Sequence, residues 1–263
     1  MRLIIALLFI CVATGCTKVI DVDLAGSETK YVIVGTVTGQ VAGAEVSISQ
    51  TKNFSDNNDF PGVTGALVTI ESNGMVDTLY SAGNGIYRSD AITGAPGTTY
   101  NLTVNIGGTI FHAASTMPQQ VPFDSLYTSV GAFSNNSFAT VVYRDPIGVS
   151  NYYKWVQYVN GRKEKSIFVS DDEFTDGQRI QSRLNYNNDT NDKTRDIHSG
   201  DSVRVEQYCI DAAVYKYWYS LNNGATGTSQ SASPANPVTN ITGGTVMGYF
   251  SAQTLQIRAI KVP

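Results

Sequence analysis

The sequence predicts a mainly β protein, with an N-terminal β-sandwich followed by a second β-rich domain that holds one short helix. The chain is rich in residues of strands and turns, with 24 Gly and 15 Tyr among 263 residues. Short runs that alternate apolar and polar residues recur between Gly- and Asn-rich turns. An apolar fraction of 42% suffices to build a core, so the chain is not intrinsically disordered.

The first 16 residues predict an export signal that ends in a lipidated cysteine. Arg2 precedes an unbroken apolar run at residues 3–12, and residues 13–16 (Ala-Thr-Gly-Cys) supply small residues and a cysteine. The run is shorter than the ~20 apolar residues that cross a membrane, so this order is typical of a secretory signal. The closing tetrad resembles the bacterial lipobox, although Leu is more usual at position 13. We expect residues 1–15 to be a signal peptide and Cys16 to carry the acyl anchor (palmitate).

Residues 16–29 predict a polar tether between the anchor and the folded body. The residue after Cys16 is Thr17 and not the Asp that retains lipoproteins in the inner membrane, so the resemblance implies outer-membrane placement, with the membrane face left open. Once the signal is removed, the mature chain contains only one other cysteine, Cys209, which excludes an intramolecular disulfide. Free cysteine packs as a small hydrophobe, and we expect Cys209 to be buried and inert.

Residues 30–116 predict an immunoglobulin-like β-sandwich, because seven short strands follow one another without a helical period. Asn73-Gly74 and Gly107-Gly108 supply hairpin turns. The Gly-Ile-Tyr at residues 85–87 and the run at residues 97–104 also resemble carboxypeptidase-regulatory-like sandwiches of bacterial surface proteins. The seven predicted strands are residues 31–38, 44–51, 65–71, 76–80, 83–87, 98–104 and 109–115.

Residues 117–122 contain two prolines and predict a linker, so we assign residues 123–263 to the second domain. A single helix is predicted over residues 212–221, because Val214, Trp218 and Leu221 have helical spacing. The predicted strands of this domain are residues 137–143, 152–159, 179–185, 202–210, 244–251 and 255–262.

Aromatic residues concentrate in the second domain, which contains most of the 15 tyrosines and both tryptophans. Tyr and Trp are enriched at interfaces and in binding clefts, because each combines an apolar body with a hydrogen-bonding group. They also fill β cores, and both interpretations stay open at this stage. If the domain binds a ligand, we expect the contacts to come from Tyr152, Trp155, Tyr217 and Trp218.

Several classes of function find no support in the residues. The net charge is −4 and no basic block occurs, which argues against nucleic-acid binding. Two histidines far apart make no zinc signature, and no nucleophile elbow or phosphate loop is present. We therefore expect no catalytic residues, cofactor or metal. The acidic run at residues 171–176 is interpreted as a solvated loop, with a calcium site as the alternative.

Several segments together form a recognisable pattern: Cys16 with residues 20–24, then residues 31–35, 63–70, 85–87, 97–104, 151–153, 215–218, and 237–244 with 248–251. Read together, these segments resemble the Bacteroidota outer-membrane lipoproteins of the domain-of-unknown-function 4249 (DUF4249) family. The closing segment is the most specific of them, and the second half looks short for the family. Three Asp-Ser/Thr-aliphatic tripeptides, at residues 77–79, 124–126 and 201–203, also resemble the O-glycosylation sequon of this phylum.

The resemblance implies an outer-membrane lipoprotein that is often encoded beside a TonB-dependent receptor, and it supplies no catalytic residues. We therefore expect an accessory or substrate-capturing partner of a TonB-dependent transporter, with an unknown ligand. The first alternative is a surface adhesion or structural module without a small ligand. A hydrolase is the second alternative, and it would need His112, His198 and the acidic run to converge on one cleft.

Overall fold

The computed structural model describes residues 29–52, 60–131, 136–186, 195–225 and 236–263. These residues form a mainly β protein with sandwich-like packing, which confirms the predicted fold class. The signal peptide, Cys16 and nearly all of the tether lie outside the described residues, so the structure leaves these predictions as they stand. None of the helices in the described ranges is long and apolar enough to cross a bilayer.

The first half of the chain forms a sandwich around one apolar core. Strict alternation places every second side chain inside, as in β2, where Ala44, Val46 and Ile48 are fully buried. Strand β4 bends between the two layers: its first part pairs with β3 and its last part pairs with β5, with a bulge near Ser81. The strands are β1 (Tyr31–Thr38), β2 (Ala44–Gln50), β3 (Leu67–Ser72), β4 (Met75–Gly83), β5 (Ile86–Ser89), β6 (Thr99–Ile106) and β7 (Thr109–Thr116).

The second half adds a smaller sheet, a further set of strands and a helix. The order β13–β9–β8 makes a three-stranded sheet, and its inner side chains share a core with those of β10 and β14. Helix α1 confirms the predicted helix and extends it. The elements are β8 (Phe123–Val130), β9 (Ser137–Arg144), β10 (Tyr152–Val159), β11 (Arg162–Lys163), β12 (Phe168–Asp171), β13 (Arg179–Arg183), β14 (Ser202–Ile210), α1 (Ala212–Ala225), β15 (Ile241–Thr242) and β16 (Val246–Lys261).

Strand β16 joins the two halves into one sheet of 13 strands. Its first part pairs in parallel with β1, from Val246 to Gln253, and its second part pairs antiparallel with β14, from Thr254 to Lys261. The prediction of two separate strands here is wrong, because the chain continues from one partner to the other without a break. The division into two domains at residues 117–122 stays a prediction. Strand β16 belongs to the predicted second domain, but its residues Phe250 and Ala252 lie in the core of the first half.

The predicted linker at residues 117–122 is packed against the body at both ends. Met117 and Val121 are each 1% exposed. The Val121 carbonyl accepts a hydrogen bond of 2.9 Å from Gln207 Nε2, and its N–H donates to Cys209 Sγ at 3.4 Å. Cys209 is buried as predicted, and burial raises the pKa of its thiol, which keeps the sulfur in its unreactive form.

Two buried glutamines on neighbouring strands differ in how their amides are satisfied. The Gln207 amide accepts from Trp155 Nε1 at 3.2 Å and donates to Val121. Both amide atoms of Gln157 are buried and have no hydrogen-bond partner among the described residues. An unsatisfied buried polar group costs about 1–3 kcal/mol, so Gln157 is a local source of instability.

We therefore expect Gln157→Met to raise the free energy of unfolding by about 1 kcal/mol, because Met fills a similar volume without an unmet hydrogen bond. Gln207→Met is the matched control, and it should lower stability by about 1–3 kcal/mol because it leaves the Trp155 indole unpaired. Urea denaturation at constant m-value measures both. Equal losses of stability for the two variants would contradict the conclusion that the Gln157 amide has no hydrogen-bond partner within the described ranges.

Candidate functional site

Helix α1 is fixed at its start by Asp211. Its Oδ1 accepts a hydrogen bond of 2.9 Å from Val214 N–H, the geometry of a helix N-cap. Its Oδ2 accepts from the hydroxyl of Ser115 on β7, and that hydroxyl in turn accepts from Ala252 N–H at 2.8 Å. One carboxylate thus begins the helix and ties it to strands from both halves of the chain.

The helix covers an aromatic layer on the sheet. Val214 is fully buried against Ile210 and Tyr249. The Tyr249 ring centroid lies 4.8 Å from that of Tyr217 and 5.3 Å from that of Trp218, within the range of favourable aromatic pairs. We define the aromatic layer as Tyr152, Tyr208, Tyr215, Tyr217, Trp218 and Tyr249.

Lys154 lies inside this layer. Its Nζ is 4.1 Å from the ring centroid of Trp218 and 5.1 Å from that of Tyr208, which are cation–π distances. The pKa of Lys154 is lowered to about 8, mainly by burial and also by the like charge of Lys163, while Glu206 opposes both effects. The ion pairs among the described residues are Arg88–Glu45, Arg195–Glu164 and Arg204–Glu206, so no carboxylate pairs with this lysine.

A cavity of about 90 Å³ opens beside Lys154, between β10, β12, the segment after β11 and helix α1. Three of the residues that line it are lysines: Lys154, Lys163 and Lys165. Trp218 also lines it, and the Trp218 indole N–H is buried without a hydrogen-bond partner in the described part of the chain. We call this the lysine cavity, and it combines positive charge with aromatic surface.

The acidic member of the lysine cavity, Glu164, is neutralised by Arg195. Arg195 Nε donates to Glu164 Oε2 at 3.1 Å and Nη2 donates to Ser166 Oγ at 3.1 Å. Burial alone would raise the pKa of Glu164, but the hydrogen bonds from Arg195 and from the Ser166 N–H lower it overall. The carboxylate is therefore ionised and already paired, and it leaves the lysines without a counter-ion from this side.

The structure separates the four predicted ligand residues into two groups. Trp155 and Trp218 both line the lysine cavity, but Trp155 is 3% exposed and its indole is bonded to Gln207 in the core. Tyr152 and Tyr217 lie in the aromatic layer, where they contact other aromatic rings. Of the four, Trp218 is the residue best placed to meet a ligand.

Sequence reasoning missed Lys154 because a lysine on a strand usually faces water. One signal was available: Lys154 stands between Tyr153 and Trp155, two residues after Tyr152, so it shares its face of β10 with Tyr152. Nothing local indicated that a helix would cover that face. The structure adds Lys163 of β11 and Lys165 of the segment that follows it, and both are exposed.

The acidic run is only partly solvated. Asp172 and Asp176 converge with Asp145, a residue that the sequence analysis did not consider, so that one carboxylate oxygen from each lies within 4.8 Å of the others. The remaining acids of the run, Asp171 and Glu173, are not in this group. Burial raises the pKa of Asp145, its hydrogen bonds with Tyr153 and Gly177 oppose this, and the two neighbouring carboxylates raise it further. The calcium alternative stays a prediction.

The fold and the site together define a mainly β protein with one large mixed sheet and a helix-covered aromatic layer. A family model described as "Domain of unknown function (DUF4249)" matches residues 17–256, and the chain belongs to this family. No curated protein matches the chain. Membership confirms the resemblance read from the sequence and assigns no activity.

The half-buried Lys154 should make stability depend on pH. The unfolded chain holds its proton up to the ordinary lysine pKa of 10.5, whereas the folded chain releases it at about 8. The charged Lys154 ammonium therefore lowers the free energy of unfolding at neutral pH, and this loss of stability decreases as pH rises above about 8. We expect the stability advantage of Lys154→Met over the natural protein to shrink by about 2 kcal/mol between about pH 7 and about pH 9.5.

Denaturant midpoints of the two proteins across this range measure the effect. Lys216→Met, which removes an exposed lysine from helix α1, controls for the loss of one charge. A constant difference between Lys154→Met and the natural protein would contradict a desolvated ammonium at this position.

The pKa of Asp145 is raised and that of Asp201 is lowered, so the two residues should affect the pH dependence of stability in opposite directions. Burial raises the pKa of Asp145, so its ionisation lowers stability as pH rises above the ordinary aspartate pKa of about 4. Hydrogen bonds from Asn160 and from the His198 N–H lower the pKa of Asp201, so its contribution to stability is lost as pH falls below about 4. Relative to the natural protein, Asp145→Asn should gain stability as pH rises above about 4, and the stability lost in Asp201→Asn should shrink as pH falls below about 4. Melting temperatures measured on both sides of about pH 4 test the two trends, and a constant difference from the natural protein for both variants would refute the assigned pKa shifts.

Proposed function

We propose that this protein is an outer-membrane-anchored lipoprotein that acts as an accessory or substrate-capturing partner of a TonB-dependent transporter. The observation that carries the proposal is the order of the sequence: an export signal, Cys16 in a lipobox-like tetrad, a polar tether and then a β-rich body. The proposal describes a binding protein and not an enzyme.

The site supports the substrate-capturing part of this proposal. A protein that binds a small ligand needs a concave surface with a few polar groups fixed on rigid elements. The lysine cavity has Lys154 on a strand of the large sheet and Trp218 on a helix that Asp211 anchors. Both residues are held by packing, so the site exists without a conformational change.

A surface adhesion or structural module is the second candidate, and one observation favours it. A larger cavity of about 360 Å³ lies in the first half of the chain, and its rim includes Met75 and Val76, which are 72% and 65% exposed. Exposed apolar side chains beside a concavity are common at protein–protein contacts.

The lipid anchor is tested by replacing each cysteine of the mature chain. Cys16→Ala should abolish incorporation of labelled palmitate and release the protein from the outer-membrane fraction, because no other thiol can replace the acylated one. Cys209→Ala is the matched control and should keep both the label and the membrane association, since Cys209 is buried. Labelling of the Cys16→Ala protein would contradict the proposal.

Co-purification distinguishes the two candidate roles. Affinity-tagged protein, cross-linked in cells and extracted from the outer membrane, should carry a β-barrel receptor if it serves a transporter. Whole-cell or matrix binding without a receptor would favour the adhesion module. Repeated failure to recover a receptor, with the lipoprotein intact in the outer membrane, would overturn the first role.

A further inference from the structure

We infer that the lysine cavity is a binding site for an oxyanion, a carboxylate or phosphate group of a small ligand, held by Lys154, Lys163 and Lys165 beside Trp218. The inference names the ligand class for the substrate-capturing role proposed above and rests on that role. Each part of it follows from charge, hydrogen bonding or space in the described residues.

The charge balance at the cavity is positive although the chain as a whole is acidic. Lys154, Lys163 and Lys165 line the cavity, and none takes part in an ion pair among the described residues. The one acidic lining residue, Glu164, is already paired with Arg195. Glu206, the other carboxylate near Lys154, accepts from Arg204 at 2.7 Å and from the Tyr208 hydroxyl at 2.7 Å. An incoming anion therefore meets no free carboxylate.

The position of Lys154 is costly without such a ligand. A buried ammonium is stable when it is paired, and here its described contacts are two aromatic faces. The like charge of Lys163 adds to the cost. An anion between the lysines would reverse this repulsion, because each ammonium would then have a counter-ion at close range.

The unused donor of Trp218 points to the same ligand class. Buried indole N–H groups usually have an acceptor, and this one has none among the described residues. An oxyanion accepts hydrogen bonds from ammonium and indole groups together, whereas a cation would meet three positive charges. A volume of about 90 Å³ accommodates a carboxylate or phosphate group but not a drug-sized molecule, which fills roughly 300 Å³ or more.

The test is a titration of the full chain in non-ionic detergent with sodium acetate and with inorganic phosphate, at constant ionic strength. Tryptophan fluorescence reports binding because Trp218 lies at the site, and calorimetry gives an independent measure. Saturable binding of either anion is expected, and the stronger of the two identifies the headgroup. Glucose, a neutral probe, should not saturate the signal.

Two variants locate the binding. Lys154→Met should weaken it at least about tenfold, the loss expected for one charge-assisted contact. The double variant Lys163→Glu with Lys165→Glu alters exposed residues, so it keeps the fold and should weaken binding at least as much. Lys216→Glu, an exposed lysine of helix α1 outside the cavity, is the control and should bind as the natural protein does.

The inference is overturned if neither anion saturates, or if both cavity variants bind as tightly as the natural protein. That failure is separable from failure of the proposed function, because the titration needs no membrane partner. Recovery of a receptor with no anion binding would leave the transporter role standing and remove the ligand class. Anion binding without recovery of a receptor would support the ligand class and count against the transporter role.

Discussion

The contact between the first and the last strand is the constraint on which the rest of the structure depends. Strand β16 passes so close to β1 that a Cβ added at Gly248 would lie 1.9 Å from the carbonyl oxygen of Ile33, and Gly248 has a φ of +103°. Only glycine fits there. This approach aligns β16 with β1 for its first part and delivers its second part to β14, so both cores close on one strand. The pairing joins residues more than two hundred positions apart, so it is a non-local contact with a high entropic cost of chain closure.

Local residue patterns predicted the strands in which residues of high strand propensity are frequent. Strands β10 and β14 match the predicted residues 152–159 and 202–210, because β-branched and aromatic residues dominate both. The break predicted within β16 falls at residues 252–254, which include the polar residues Gln253 and Thr254. They are 6% exposed, because they occupy the point where the strand changes partners. Burial of polar residues at that point is a property of the tertiary arrangement and has no local signature.

The candidate site shows the same division between local and tertiary information. The aromatic residues were evident from composition, and Trp218 was named from it. Lys154 was missed because its surroundings are created by helix α1, whose orientation depends on the network from Asp211 through Ser115 to Ala252. Asp145 was missed for a parallel reason, since it approaches Asp172 and Asp176 only after the chain has folded. Residue spacing in the sequence identifies sites whose residues lie on one helix or strand. The lysine cavity and the group of three aspartates each combine residues from several elements.

The register of the large sheet also determines where the lysine cavity lies relative to the tether. The described chain enters β1 at Tyr31, which pairs with Val246, whereas Lys154 is aligned through Tyr208 with Leu255. Leu255 is nine residues beyond Val246 along β16, a separation of about 30 Å at the rise of a β-strand. In the proposed anchored protein, the tether would reach one end of the sheet and the cavity would lie towards the other. In that arrangement, the strand shared by the two halves would also hold the proposed site away from the point of attachment.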